Sequence, residues 1–161
     1  MTSHNAGEAP SPKIVTSCWY SALPGIGTKG ATDTHKKLGI SRGVPRSGVG
    51  AGFQLFKILQ PGPWFNSVGP DEYRDRYFDE VLAPLDPAEI VRRIEQLAGG
   101  KTAVLVCYEK PHDDEFCHRA YVSAWLKDKL GIDVPELGRE ADGVGWAHPK
   151  LPKQHRVLVP A

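Results

Sequence analysis

The segment TAVLVCY, residues 102–108, constrains the fold most. Its apolar residues run without the alternation of a half-buried strand, so it reads as a strand covered on both faces, the usual condition of a parallel sheet. Gly99-Gly100 precedes it and a second helical pattern follows a few residues later. Parallel neighbours need crossover connections, and helices are the usual ones.

Other segments complete that pattern. KIVTSCWYSA carries β-branched and aromatic residues and predicts a strand ending near Cys18-Trp19; KKLGISRG predicts a shorter one with Ser41-Arg42 at its exit. Between Gly43 and Pro70 the chain is rich in Gly and Pro, and FQLFKILQ within it predicts about two helical turns. A connection of this length predicts a lid or a substrate-facing loop. Gly25, Gly27 and Gly30 have the G-x-G-x-x-G spacing in GIGTKG, but no Lys-Ser/Thr pair follows them, which argues against a phosphate-binding loop of the P-loop type.

DEYRDRYFDEVL places Tyr73, Tyr77, Phe78, Val81 and Leu82 at helical spacing. Asp86-Pro87-Ala88-Glu89 has the N-cap aspartate, the proline and the capping-box glutamate of a helix start, and Gly99 the usual stop. CHRAYVSAWLKDKLG predicts a helix with Val122, Leu126 and Leu130 buried; IDVPEL and HRVLVP predict short strands, the latter at an edge. Strands alternating with helices imply one α/β domain, an open, mostly parallel sheet with helices on both faces. The expected organisation is a tail over 1–12, the domain over 13–137 and a C-terminal extension over 138–161.

In such a sheet ligands sit beyond the carboxyl ends of the strands, where helix N-termini also point. Cys18-Trp19, Ser41-Arg42 and Tyr108-Glu109 fall at strand exits, and Cys117-His118-Arg119 in the first turn of a helix. Cys117 is a candidate nucleophile favoured by the helix N-terminus and Arg119, opposed by Asp113, Asp114 and Glu115; the alternative is a small buried packing residue. Glu109 reads as a general base or nucleophile, or as a structural acceptor; His118 reads as a proton shuttle. Arg42 and Arg119 are the anion-binding candidates, with Ser41 and Tyr108 beside them; the alternative for Arg119 is a salt bridge, with Glu109 as the evident partner.

Cys107 and Cys18 read as core, and the three cysteines are too few and too uneven for a disulfide framework, so all are expected as free thiols. Cys107, His112, Cys117 and His118 nominally supply zinc ligands, but C-x4-H-x4-C-H is no standard zinc pattern, and no metal or cofactor is expected. Trp64, Trp125 and Trp146 are stacking candidates whose first reading is core.

The strand-loop-helix VLVCYEKPHDDEFCHRAYVSAWLKDKLGIDVPEL, with ISRGVP upstream and YRDRY between, resembles the bacterial and phage proteins called domain of unknown function 488. These pair an apolar strand ending in Cys-x-Glu with a Cys-His-Arg helix start, matched here by Cys107, Glu109, Cys117, His118 and Arg119. The resemblance spans residues 13–137 and implies an α/β fold with a cysteine- and arginine-bearing cleft. Cysteine phosphatases place Cys and Arg six positions apart, whereas Arg119 follows Cys117 by two, so neither that mechanism nor a rhodanese-like one is indicated.

The net charge of +1 singles out no polyanion-binding surface. The opening MTSHNAGEAPSP lacks the basic start and apolar core of a signal peptide, and no run approaches the roughly 18 apolar residues of a membrane span, so a cytoplasmic protein without membrane contact is expected. The expected function is a hydrolase or transferase acting on an anionic nucleotide, nucleoside or modified base. The alternative is a non-catalytic nucleotide or nucleic-acid binding module.

Overall fold

The computed structural model describes residues 13–113 and 115–157. Strands β1 (Ile14–Cys18), β2 (His35–Gly39) and β3 (Gln54–Leu55) precede helix α1 (Pro70–Arg76), which continues into a π-helical turn over Tyr77–Leu82. Helix α2 (Pro87–Ala98), strand β4 (Thr102–Cys107) and helix α3 (Arg119–Leu130) follow, and then a series of short 3-10 turns. The strands form one sheet in the order β1-β4-β2-β3, with every pairing parallel. The expected 1–12 tail lies outside the described residues.

Local chemistry accounts for the helix ends. The Asp86 carboxylate accepts the Ala88 N–H at 3.1 Å, and Gly99 (φ 61°) and Gly131 (φ 69°) supply the left-handed residue that stops α2 and α3. Ile90, Ile94 and Ala98 of α2 are buried, as the spacing requires.

The open parallel α/β architecture is as expected, but the two faces are covered differently. Ile14, Leu38, Ala103 and Leu105 pack into one core with buried residues of α1, the π turn, α2 and α3. On the other face Val15, Val104 and Val106 meet Trp19, Val49, Phe53 and Val44, all from loops. The glycine-rich segments after β1 and β2 therefore do the work of helices. Gly39 is part of that packing, since a Cβ there would collide with the Trp19 indole. Ser17 and Lys37 are polar residues buried on the loop-covered face, Lys37 donating to the Trp19 and Ser21 carbonyls at 2.8 and 2.6 Å. Its burial pushes the ammonium pKa down to about 8.

Three expected elements differ. FQLFKILQ forms β3 and a 3-10 turn at Lys57–Leu59 instead of two helical turns, because Leu38 and Gly39 pair with Gln54 and Leu55. IDVPEL makes a single parallel bridge, Thr16 with Glu136: Pro135 has no N–H to extend the ladder. His155 closes a 3-10 turn and residues 156–157 join no strand, while 158–161 lie outside the described residues.

The connections after β1 and β2 cross the loop-covered face, whereas those after β3 and β4 cross the helical face. β2 and β4 are neighbours whose chains leave in opposite directions. A crevice opens between their carboxyl ends, as at a topological switch point. Among the described residues no helix is long and apolar enough to cross a membrane.

Candidate active site

A cavity of about 690 Å³ occupies that crevice. Ser41, Arg42 and Gly43 line it from the exit of β2, and Cys107, Tyr108 and Glu109 from the exit of β4. Cys117 and His118 come from the start of α3, and Pro61, Phe65 and Asn66 from the long loop expected to face substrate. The structure thus brings six of the seven candidate residues to one cavity; Arg119 is absent from its lining. α3 begins at Arg119, so Cys117 and His118 stand just ahead of the helix instead of within its first turn, and the Cys117 carbonyl accepts the Ala120 N–H at 3.0 Å.

At the mouth, Tyr108 and Phe65 are partly exposed aromatic walls, and the Arg42 guanidinium lies over the Phe65 ring at 5.9 Å. Arg42 also donates to the Pro61 carbonyl at 3.0 Å, which ties the long loop to β2. The Ser41 hydroxyl accepts from the Trp19 indole N–H at 2.9 Å and donates to the Gly43 carbonyl at 2.6 Å. It shapes the β2 exit with its one proton already engaged.

The expectation of three free thiols is corrected for two of them. Cys107 and Cys117 are joined in a disulfide, and only Cys18 is free. The strand end and the helix start meet because the intervening loop is drawn into the domain by later residues: the Lys150 carbonyl accepts the Cys117 N–H at 3.0 Å, and the Lys150 ammonium donates to the Lys110 carbonyl and the Asp113 carboxylate, each at 2.6 Å. In the disulfide state neither sulfur is a nucleophile or a base.

His118 is buried, with Nε2 2.8 Å from the Ile40 carbonyl. A carbonyl only accepts, so Nε2 carries the proton and the Nδ1 lone pair faces Cys117 Sγ at 3.7 Å. Burial pushes the imidazole pKa down to about 4, opposed by the Ile40 carbonyl and assisted by the nearby Arg119 charge. His118 is therefore neutral at pH 7.

Arg119 lies behind the cysteines, fully buried, and its partner is Glu136 instead of the expected Glu109. Nε and Nη2 meet the Glu136 carboxylate at 3.0 and 2.7 Å, and Nη1 donates to Cys107 Sγ at 3.3 Å. Thr16 Oγ1 donates to Glu136 at 2.6 Å and stands 2.8 Å from His148 Nε2; His148 Nδ1 accepts the Lys150 N–H at 3.0 Å. A hydrogen-bonded chain thus runs from residue 150 through β1 to the sulfur of Cys107. Glu136, His148 and Lys150 escaped the sequence reading because no spacing links them to Arg119. Glu136 shares the IDVPEL segment with a second acid, Asp133, so the pattern did not single it out.

Glu109 is half-buried at the cavity edge. Burial holds its carboxyl above the usual carboxylate range, against opposing contributions from its own backbone N–H, Arg119 and Lys150. A carboxyl poised in this way exchanges protons closer to neutrality than an exposed one.

The histidines make stability pH-dependent. His118 and His148 both bind protons less readily folded than unfolded, His148 because burial and then the Arg119 charge disfavour its cation. Below about pH 6.5 the unfolded chain therefore takes up more protons, so stability is full above the unfolded value and is lost on acidification, for His118 down to about pH 4. Glu109 opposes this, since its raised value adds stability as it protonates. Urea unfolding at pH 7.5, 5.5 and 4.5 should show the decline, and His118→Gln should reduce its slope; a flat profile would contradict the assignment.

No family model, curated protein or solved structure matches this chain.

Proposed function

We propose that this protein is a small cytoplasmic enzyme of the domain of unknown function 488 family, a hydrolase or transferase acting on a compact anionic substrate of the nucleotide, nucleoside or modified-base class. The observation that carries the reading is the desolvated Glu109 carboxyl at the switch-point cavity it shares with the exposed Arg42 guanidinium. Arg42 holds the anion as a bidentate donor, and Phe65 and Tyr108 offer faces to a planar ring. Glu109 takes a proton from the attacking group or, with a glycosidic substrate, forms the covalent intermediate itself.

The assignment of Cys117 as nucleophile applies only to the reduced protein, and Glu109 carries the chemistry in the disulfide state. His118, neutral with Nδ1 unprotonated, accepts a proton from Cys117 when that thiol is free. Arg119 serves the site indirectly, by fixing the Cys107 wall. The alternative, a binding module for nucleotide or nucleic-acid phosphate, uses the same Arg42 and aromatic walls without turnover.

Titration with nucleosides and nucleoside monophosphates, read by thermal shift and calorimetry, tests the cleft. The monophosphates should bind, and Arg42→Ala should weaken them about tenfold or more, as loss of a charge-assisted hydrogen bond does. Equal affinity for nucleoside and monophosphate, or an Arg42→Ala variant that binds as well as the native protein, would count against this reading.

A further inference from the structure

Cys107 Sγ, Cys117 Sγ and a ring nitrogen of His118 lie within 4.8 Å of one another, all buried, on one wall of the cavity. This is a different set from the one the sequence suggested, because His112 is exposed and outside the group. We propose that reduction of the Cys107–Cys117 disulfide turns this wall into a three-ligand site for a thiophilic d10 cation of the Zn2+ type, with a fourth position open to the cavity.

Three observations converge on it. The Ile40 carbonyl takes the Nε2 proton of His118 and leaves Nδ1 as the ligand atom, the outer-shell arrangement that orients metal-binding histidines. Arg119 Nη1 donates to Cys107 Sγ, and a hydrogen bond from a guanidinium held in place by Glu136 stabilises a coordinated thiolate. The Cα atoms of the cysteines stand 7.2 Å apart. Two thiolates at about 2.3 Å from a tetrahedral ion are about 3.8 Å from each other, a separation that suits so wide a backbone.

The chemistry balances. A dithiol reductant, such as those that keep cytosolic thiols reduced, supplies two electrons and two protons; the S–S bond breaks, each sulfur gains a hydrogen, and the reductant becomes a disulfide. The divalent cation then displaces both thiol protons to solvent, and two thiolates neutralise its charge while His118 contributes a neutral lone pair. The open fourth position is the feature that separates catalytic from closed structural zinc sites.

This inference stands apart from the nucleotide reading, which turns on Arg42 and Glu109. The test uses the full chain, oxidised and dithiol-reduced, desalted without oxygen, incubated with Zn2+ or Co2+ and desalted again. The reduced protein should retain about one ion per chain, with a thiolate-to-Co2+ charge-transfer band, and the oxidised protein should retain none. Cys117→Ser and His118→Gln should each weaken retention at least tenfold, while Glu109→Gln leaves it unchanged. Equal retention by oxidised and reduced native protein, or none by the reduced form, overturns the proposal without reference to any variant. Alkylation of the reduced cysteines must also abolish binding, and metal held after alkylation would overturn it equally.

Discussion

Replacing Arg119 with alanine is expected to lower the unfolding free energy by about 3–5 kcal/mol, because it strands the Glu136 carboxylate without its cation. Both side chains are fully buried, and two of the guanidinium nitrogens meet that carboxylate. Solvent cannot compensate the charge left behind. For a chain of this size the loss corresponds to a fall in melting temperature on the order of 10 °C. Thr16 and His148 contact the same carboxylate, so the damage should extend to the 3-10 turns that close the cysteine loop. Replacing Arg119 and Glu136 together by apolar residues of similar volume should recover most of the loss, since pairing charges in a dry interior gains little over packing apolar groups there. Urea denaturation of the single and double variants decides it: a loss below about 1 kcal/mol for Arg119→Ala is the surface ion-pair value and would contradict a buried bridge.

Glu109→Gln should behave oppositely. Turnover of the substrate identified by the binding panel is expected to fall by about 10²–10⁴-fold, the usual worth of a positioned acid-base group. Stability should hold or rise, because the amide removes a carboxylate whose ionised form burial disfavours. Ligand affinity should change far less than turnover if Glu109 acts mainly in the transition state. Preserved turnover in Glu109→Gln would pass the site to the non-catalytic reading.

The residues that were legible from the sequence share a physical reason. Tyr108-Glu109 and Ser41-Arg42 follow runs whose patterning marks strands, and strand exits in a parallel sheet converge whatever the loops do. Arg119 looked equivalent because it neighbours Cys117 and His118, yet one step around a helix turns a side chain by about 100°, toward β4 and Glu136 and away from the cavity. The disulfide was hidden because Cys107 sits in an apolar strand and its partner is held beside it by tertiary contacts, among them those of Lys150, far along the chain. The FQLFKILQ segment has apolar residues compatible with both periods, and pairing with β2 settled what the local pattern left open. In each case the missing information was a tertiary partner.

The most direct measurement is a crystal structure of the native protein with a bound nucleoside monophosphate. The account predicts the phosphate on Arg42, the ring between Phe65 and Tyr108, and the Glu109 carboxyl within hydrogen-bonding reach of the reacting atoms. Ligand bound in the separate surface groove that Phe56, Arg93 and Gln96 line, or a cavity between β2 and β4 that stays empty at saturating ligand, would contradict it.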